Sequence, residues 1–301
     1  MNIPMREIKR EPFKSNALLF SVFIIFFATA CAANGNDAQG DTGPMTNRLE
    51  QLLTEQNGEA IDASAQLGVK AIPVLMKFVD HADPAIRRLV LESFAAVSGP
   101  QANDALVHGL EDTSLNVRNL SIKLIHGLNA AIRSPKFNVL LSGSPDAWVR
   151  GNVALFIGKA DDKSAMSALE KQYAAETDNQ AKHNMALALA RLGQDESLTK
   201  ILLPFQGIQQ GNSNFKEAHA LYSAIQELEY LGNPKHSTYL ATLLSNKTEV
   251  KNLGTEPFPV WHRICDRAVE AIPAVTGQSL PFELGGRTYT DQELQQAMQL
   301  L

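Results

Sequence analysis

Asp83-Pro84-Ala85-Ile86-Arg87 is the first of five related phrases in this chain. The others are Ser114-Leu115-Asn116-Val117-Arg118, Asp146-Ala147-Trp148-Val149-Arg150, Asp178-Asn179-Gln180-Ala181-Lys182 and Asn212-Ser213-Asn214-Phe215-Lys216. Each phrase begins with a helix-capping residue, has an apolar or small residue three positions later, and ends in a base. Successive bases are 31, 32, 32 and 34 residues apart. A period in this range is typical of stacked helical repeats, whose units are too small to be stable alone.

The charge and the cysteine count of the chain exclude several classes of protein. The chain has 301 residues, is 45% hydrophobic and carries a formal charge of −5. Residues 1–16 hold four bases and two acids, so the remaining 23 bases and 30 acids give the body a charge of −7. Such an acidic body predicts no nucleic-acid partner, because nucleic-acid binding depends on bases that neutralise phosphates. Two cysteines exclude a disulfide framework and a zinc site built on cysteine pairs.

Apolar periodicity predicts an all-α fold made of about six helix pairs, spanning residues 46–277. In the pairs that carry a phrase, a short first helix precedes a longer second helix, which the phrase opens. The regularity ends at Ser245–Pro259, a polar segment longer than any earlier turn. We expect a last long helix at Trp261–Val275, bent or shortened by Pro273. A capping segment, residues 278–301, should end in a helix at Asp291–Leu300.

These phrases resemble the HEAT repeat in its short bacterial form, also seen in the PBS-lyase-type HEAT-like proteins. The resemblance also rests on Leu67–Leu75, Val149–Gly158 and Ala186–Gly193. The resemblance implies an armadillo-like helical α-solenoid with an Asp–Arg ladder between neighbouring repeats. We therefore interpret the following residues as structural: Asp83, Arg87, Arg118, Asp146, Arg150, Asp178 and Lys182. Some HEAT-like proteins are bilin lyases or DNA glycosylases, so an enzyme of this kind is an alternative.

The N-terminus predicts export. Residues 1–16 are polar and net positive, and Ala17–Ala30 is a fourteen-residue apolar run. A membrane-spanning helix needs roughly 20 apolar residues, so residues 1–30 read as a signal peptide. Ala28-Thr29-Ala30-Cys31 resembles the lipobox of bacterial lipoproteins, which implies a lipid on Cys31. Ala28 departs from the usual leucine, and Ala28-Thr29-Ala30 also fits cleavage that releases a soluble protein.

Residues 31–45 are interpreted as the lipidated cysteine and a flexible tether. The segment is rich in glycine, asparagine and aspartate and has no apolar periodicity. A coil of this length has a reach of about 20 Å. Ala32 follows the cysteine, so by resemblance to lipoproteins we expect the outer membrane of a Gram-negative host, with the body facing the periplasm.

Searches for catalytic patterns favour a non-enzyme. The sequence has no G-x-S-x-G, no His-Glu-x-x-His, and no two of its seven histidines lie four residues apart. Gly151, Gly158 and Lys159 are faintly similar to a phosphate loop, but the two glycines lie seven residues apart and Gly151 falls inside a predicted helix. We therefore predict no enzyme activity, no cofactor and no metal.

Three side chains are candidates for binding a partner: Trp148, Trp261 and His262. Tryptophan is enriched at interface hot spots, and both tryptophans precede an arginine by two residues. Each tryptophan could instead fill a gap between helix pairs, and the Ser245–Pro259 loop could be recognition surface or a tolerated insertion. The function predicted is a membrane-tethered scaffold for a protein or peptide. The alternatives are a soluble periplasmic adaptor and the HEAT-like lyase-type enzyme.

Overall fold

The computed structural model describes residues 43–128, 130–194, 198–205, 215–251 and 261–301. The predicted signal peptide, Cys31 and most of the predicted tether lie outside these residues. Within them the protein is mostly helical, which confirms the all-α class. No helix in the described ranges combines the length and the apolar character needed to cross a membrane.

The first half of the described chain holds ten helices in the order predicted by the repeat. They are α1 Gly43–Thr54, α2 Glu59–Leu67, α3 Ile72–Met76, α4 Pro84–Val97, α5 Pro100–His108, α6 Leu115–Gly127, α7 Lys136–Gly143, α8 Ala147–Lys159, α9 Met166–Ala175 and α10 Asn179–Arg191. The second half contains α11 Leu198–Ile201, α12 Phe215–Leu231, α13 Ser237–Leu243, α14 Ile264–Thr276 and α15 Asp291–Met298, together with β1 Glu249–Lys251 and β2 Trp261–Arg263.

Three aspartates of the phrases start second helices by accepting free backbone N–H groups: Asp83, Asp146 and Asp178. The Ser114 side chain makes no such bond, and Asn212 lies outside the described residues. The Asp83 carboxylate accepts from the N–H of Ala85, and Pro84 occupies the first helical position, where its missing N–H costs nothing. The last helix uses a full capping box, in which Thr290 and Glu293 each bond the backbone of the other.

The first helix of the second pair is not one continuous α-helix. A 3₁₀ turn at Gly68–Ala71 precedes the short α3. Pro73 has no N–H for the carbonyl of Val69, and the N–H of Ile72 bonds that carbonyl instead in the tighter 3₁₀ geometry.

The helix predicted at Trp261–Val275 begins three residues late, because its first residues form a strand. Trp261–Arg263 pairs antiparallel with Glu249–Lys251, and His262 lies opposite Val250. The N–H groups of Ile264 and Cys265 then bond the carbonyls of Thr248 and Asn246. These bonds hold the backbone extended up to Arg263, so the prediction that Trp261 and His262 lie in a helical first turn is wrong.

Second helices pack in chain order: α2 against α4, α4 against α6, and so on through α8, α10, α12 and α14. Two clusters of buried side chains result. The N-terminal core runs from Leu49 to Leu192, and the C-terminal core runs from Leu155 to Ala297. Between them lie α8 and α10, whose residues 151–158 and 184–190 are buried on every side. A helix that is buried all round carries no amphipathic signature, which is why sequence periodicity does not reveal this position.

Candidate functional site

Three arginines at the starts of second helices pair with carboxylates of the following repeat. The pairs of this arginine ladder are Arg87–Asp112, Arg118–Asp146 and Arg150–Glu176. Arg87 donates from Nε and Nη2 to the two Asp112 oxygens, both at 2.7 Å, and Arg150 does the same to Glu176 at 2.7 and 2.8 Å. Arg118 contacts one oxygen of Asp146 at 3.0–3.1 Å. The acceptor follows its arginine by 25, 28 or 26 residues, close to one repeat.

Each ladder base also binds its own repeat. The Nη1 group donates to the carbonyl six residues earlier, which belongs to His81, Asp112 and Ser144 in turn, at 2.7–2.8 Å. Lys182 donates to the carbonyl of Glu176, also six residues back, at 3.3 Å. A ladder arginine thus bonds both the turn that precedes its own helix and the corresponding turn of the next repeat.

The Arg150–Glu176 pair is the most enclosed rung. The Glu176 side chain is only 1% exposed, and its Oε1 also accepts the N–H groups of Thr177 and Asp178. The hydrogen bonds from Arg150, with those backbone donors, lower the pKa of Glu176 to about 2. Both members of the pair are therefore charged at neutral pH, as a fork-to-fork pair requires.

The remaining ladder candidates have other roles. Asp83 caps α4 and accepts from Nε2 of Gln56 at 2.8 Å, and Asp178 caps α10 through the N–H of Ala181. The sequence interpretation placed Asp178 in the ladder, but Arg150 binds Glu176, which lies two residues before that cap, just as Asp112 lies two residues before the cap Ser114. Lys182 lies over the Tyr173 ring at 5.3 Å and has no fork with which to grip a carboxylate.

A second set of bases, which sequence reasoning missed, caps the carboxyl ends of second helices. Lys159 donates to the carbonyls of His126 and Leu128, and Arg191 donates to the carbonyl of Gly158. Arg133 donates to the carbonyl of Ala160. These positions favour cations, since the last helical carbonyls lack partners and carry partial negative charge. The signal available in the sequence was the spacing of Lys159 and Arg191, which are one repeat apart.

The two glycines of the rejected phosphate loop form a close helix contact. A Cβ on Gly151 would lie 2.8 Å from Cα of Ala181, and a Cβ on Gly158 would lie 3.1 Å from Cα of Ala188. The glycines on α8 and the alanines on α10 share the same seven-residue spacing. Both glycines are buried inside α8, so the structure brings the helices together there and leaves no open phosphate cradle.

The candidate partner residues are separated in the fold. Trp148 lies half-buried in the first turn of α8 and packs against the N-terminal core. The backbone N–H of Trp148 donates to the capping carboxylate of Asp146 at 3.0 Å. Trp261 and His262 belong to β2, which packs against α14. Trp148 thus packs with the N-terminal core, whereas the other two candidates belong to the strand beside α14.

Histidines and the described cysteine have individual partners. His126 is largely buried, bonds the side-chain oxygen of Asn152 at 2.8 Å, and has its pKa lowered to about 4 by burial. His183 bonds Glu227 at 2.8 Å, and this bond raises its pKa. Cys265 is fully buried, and burial raises its pKa to about 11. Among the described residues, no group of three or more His, Cys, Asp or Glu side chains is placed to hold a metal.

Comparison with known proteins identifies no relative. The chain matches no protein-family model, and a search of curated proteins finds no match either. The function is therefore inferred from the contacts, burial and charges of the described residues.

Proposed function

We propose that the protein is a non-catalytic scaffold, an α-solenoid of the HEAT type that is anchored through a lipid on Cys31 and binds a protein or peptide. The observation that carries this proposal is the arginine ladder, because the same contact recurs between successive repeats at nearly the same step. A contact copied in this way is what a stack of similar units needs at each junction.

The order of helix contacts supports the solenoid. Each second helix packs on the next one along the chain, from α2 to α14. The outward side of α1 is polar, with Asn47, Arg48, Gln51 and Thr54 exposed. A polar outer face is typical of the terminal repeat, which keeps a stack soluble and finite.

We place the partner on the second helices α4 and α6. The residue after each ladder base is exposed there, as Arg88 and Asn119, but the equivalent Gly151 on α8 is buried. Ala181 and Asn184 of α10 lie against Gly151, and further along α8 the Tyr230 hydroxyl of α12 donates to the carbonyl of Leu155 at 2.8 Å. Lys123 is also exposed on α6. The open second-helix surface is therefore formed by exposed residues of α4 and α6, among them Arg88, Asn119 and Lys123.

Affinity purification from solubilised membranes tests this site. The acylated full chain should recover a stoichiometric partner, and the double variant Arg88→Glu/Lys123→Glu should lose it. Lys171→Glu is the matched control, because Lys171 is equally exposed but lies on the first helix α9. Recovery that is unaffected by the double variant, or lost equally with Lys171→Glu, would remove the partner from this surface.

Labelling with a fatty acid separates the anchored protein from the alternative of a soluble periplasmic adaptor. Wild type should incorporate the label and Cys31→Ser should not. Absence of label in both, with the protein in the soluble periplasmic fraction, would favour release after Ala30. The lyase-type enzyme gains no specific support from the geometry, since the ladder side chains are engaged in bonds between repeats.

A further inference from the structure

Among the first helices, the one near the predicted anchor has an unusual exposed face. Residues 71, 72, 74 and 75 are buried, whereas Val69, Lys70, Pro73, Met76 and Lys77 are exposed. Val69 is 68% exposed and Met76 is 49% exposed. This set of five side chains, which we call the α3 face, contains three apolar groups and two lysines, of which Lys77 pairs with Glu50 of the neighbouring α1 at 2.9 Å.

The equivalent surfaces of later repeats are different. On α5 the exposed side chains include Gln101 and Asp104, and on α9 they include Ser167, Glu170 and Lys171. On α7 Val139 is exposed as well, but beside the polar side chains of Lys136, Asn138 and Ser142. Since the repeats share one packing scheme, nothing in that scheme calls for apolar groups on the outside of α3. An exposed apolar set rimmed by polar groups is typical of an interaction surface.

The position along the chain points to what covers this face. Gly43, the first described residue, lies twelve positions after Cys31, and a coil of that length has a reach of about 20 Å. A lipid on Cys31 would thus hold α1 and α3, which pack together, within about that distance of the bilayer. Met45 on α1 is a further exposed apolar side chain in this part of the molecule.

We propose that the α3 face is a membrane contact, in which Val69, Pro73 and Met76 enter the headgroup region of the bilayer next to the anchor while Lys70 meets anionic lipid headgroups. This proposal rests on the lipid anchor of the proposed function. Three apolar side chains bind a bilayer weakly, but a short tether raises their effective concentration to roughly millimolar, so a weak contact is populated. Lysine stems pack along apolar groups while their ammonium groups stay in water, which suits this boundary.

Depth-dependent fluorescence quenching tests the contact in the full chain. Val69→Cys carries an environment-sensitive dye, and Val139→Cys on α7 is the matched control because Val139 is 66% exposed. Cys265 is buried and stays unlabelled. The purified proteins are reconstituted into phosphatidylethanolamine vesicles that contain phosphatidylglycerol and nitroxide-labelled lipid. We expect the dye at position 69 to be quenched at least about twofold more than the dye at position 139, and Lys70→Glu to reduce the difference.

Other results would overturn the proposal. Equal quenching at the two positions would mean that the α3 face does not approach the bilayer more closely than α7 does. Shielding of position 69 that persists after the vesicles are dissolved in detergent would mean that a protein covers the face. The dye count reports the anchor separately: one dye per chain means an acylated Cys31, and two mean a free thiol. A failed anchor and a failed contact are therefore distinguishable, and melting temperatures equal to wild type establish that the variants fold.

Discussion

The N-terminal and C-terminal cores are both built from paired helices, but different ion pairs join those helices. In the N-terminal core each ladder arginine contacts a carboxylate one repeat further along the chain. In the C-terminal core Arg267 binds Glu229, which lies 38 residues earlier, and Arg263 at the end of β2 binds Asp266 in the first turn of α14. The forward contact can be copied from repeat to repeat. The contact from Arg267 back to Glu229 runs the other way along the chain, and the series of forward ladder contacts ends before it.

A residue near the C-terminus adds further bonds to α14. Tyr289 donates its N–H to Asp266 and its hydroxyl to Glu270, both on α14, and its carbonyl accepts from Arg263. Tyr289 is almost fully buried. The segment between α14 and α15 is therefore fixed by polar bonds that occur once, whereas the earlier junctions reuse one bond. The difference predicts that damage to the ladder spreads across repeats and damage near α14 stays local.

Removing one ladder arginine should give the largest effect. Arg150→Ala leaves the buried Glu176 without its guanidinium partner, and breaking a buried pair typically costs 3–5 kcal/mol. We expect a loss of about 3 kcal/mol in the free energy of unfolding, measured with urea. Lys77→Ala, which removes an exposed pair with Glu50, should cost less than about 1 kcal/mol. Partner recovery should survive Arg150→Ala below its lowered melting temperature.

Hydrogen exchange tests the spread of that damage. Arg150→Ala should weaken amide protection in α8 and also in α6 and α10, whereas Arg267→Ala should weaken it in α12 and α14 alone. Equal, global loss of protection in the two variants would contradict the contrast between copied and closing contacts.

The contact between α8 and α10 should be the next most sensitive feature. Gly151→Ala places a methyl group within 2.8 Å of the Ala181 backbone, and the helices must move apart. Overpacking of this kind costs typically 1–3 kcal/mol, so we expect about 2 kcal/mol of destabilisation in thermal and urea unfolding. Gly127→Ala is the control, because nothing lies within 4 Å of the point where its methyl group would sit and alanine favours the helix. A stabilising Gly151→Ala would mean that the two helices lie further apart than described.

Acid should weaken the N-terminal core through His126. Its folded-state pKa, about 4, lies below the ordinary 6.5, so the unfolded chain binds a proton first as pH falls. Its contribution to stability is therefore complete above pH 6.5 and is lost as pH falls towards 4. We expect a loss of about 2 kcal/mol between pH 7.5 and pH 5, and His126→Gln should flatten this slope in urea unfolding at each pH.

The pH dependence of stability that His183 contributes has the opposite sign to that of His126, so His183 serves as an internal control. Its bond to Glu227 raises its pKa, so its contribution is complete below pH 6.5 and is lost as pH rises through the raised value. His183→Gln should therefore remove stability at low pH and leave the high-pH branch unchanged. An unchanged acid slope in His126→Gln would assign the loss to other groups.

Much of this architecture was predictable because the repeat signals are local. Capping at Asp83, Asp146 and Asp178 was predicted, since a capping residue and the first turn lie within a few positions in the sequence. The strand at Trp261–Arg263 was not, because it depends on pairing with residues that precede it by ten or more positions. The same holds for the burial of α8, where three other helices supply the cover. Glu176 was missed as a ladder acceptor because nothing local distinguishes it from Asp178.

The smallest predicted effect is a difference in unfolding free energy. It compares the loss of a helix cap alone with the loss of a cap that also accepts a ladder arginine. Asp178 caps α10 and takes no ladder bond, whereas Asp146 caps α8 and also accepts Arg118. Loss of a cap typically costs about 1 kcal/mol, so Asp178→Ala should show that value in urea unfolding. Asp146→Ala should cost about 1 kcal/mol more, because it also frees the guanidinium of Arg118. If the two substitutions cost the same, the Arg118 rung contributes nothing measurable, and the ladder in this protein is held by its two forked pairs, at Arg87 and Arg150.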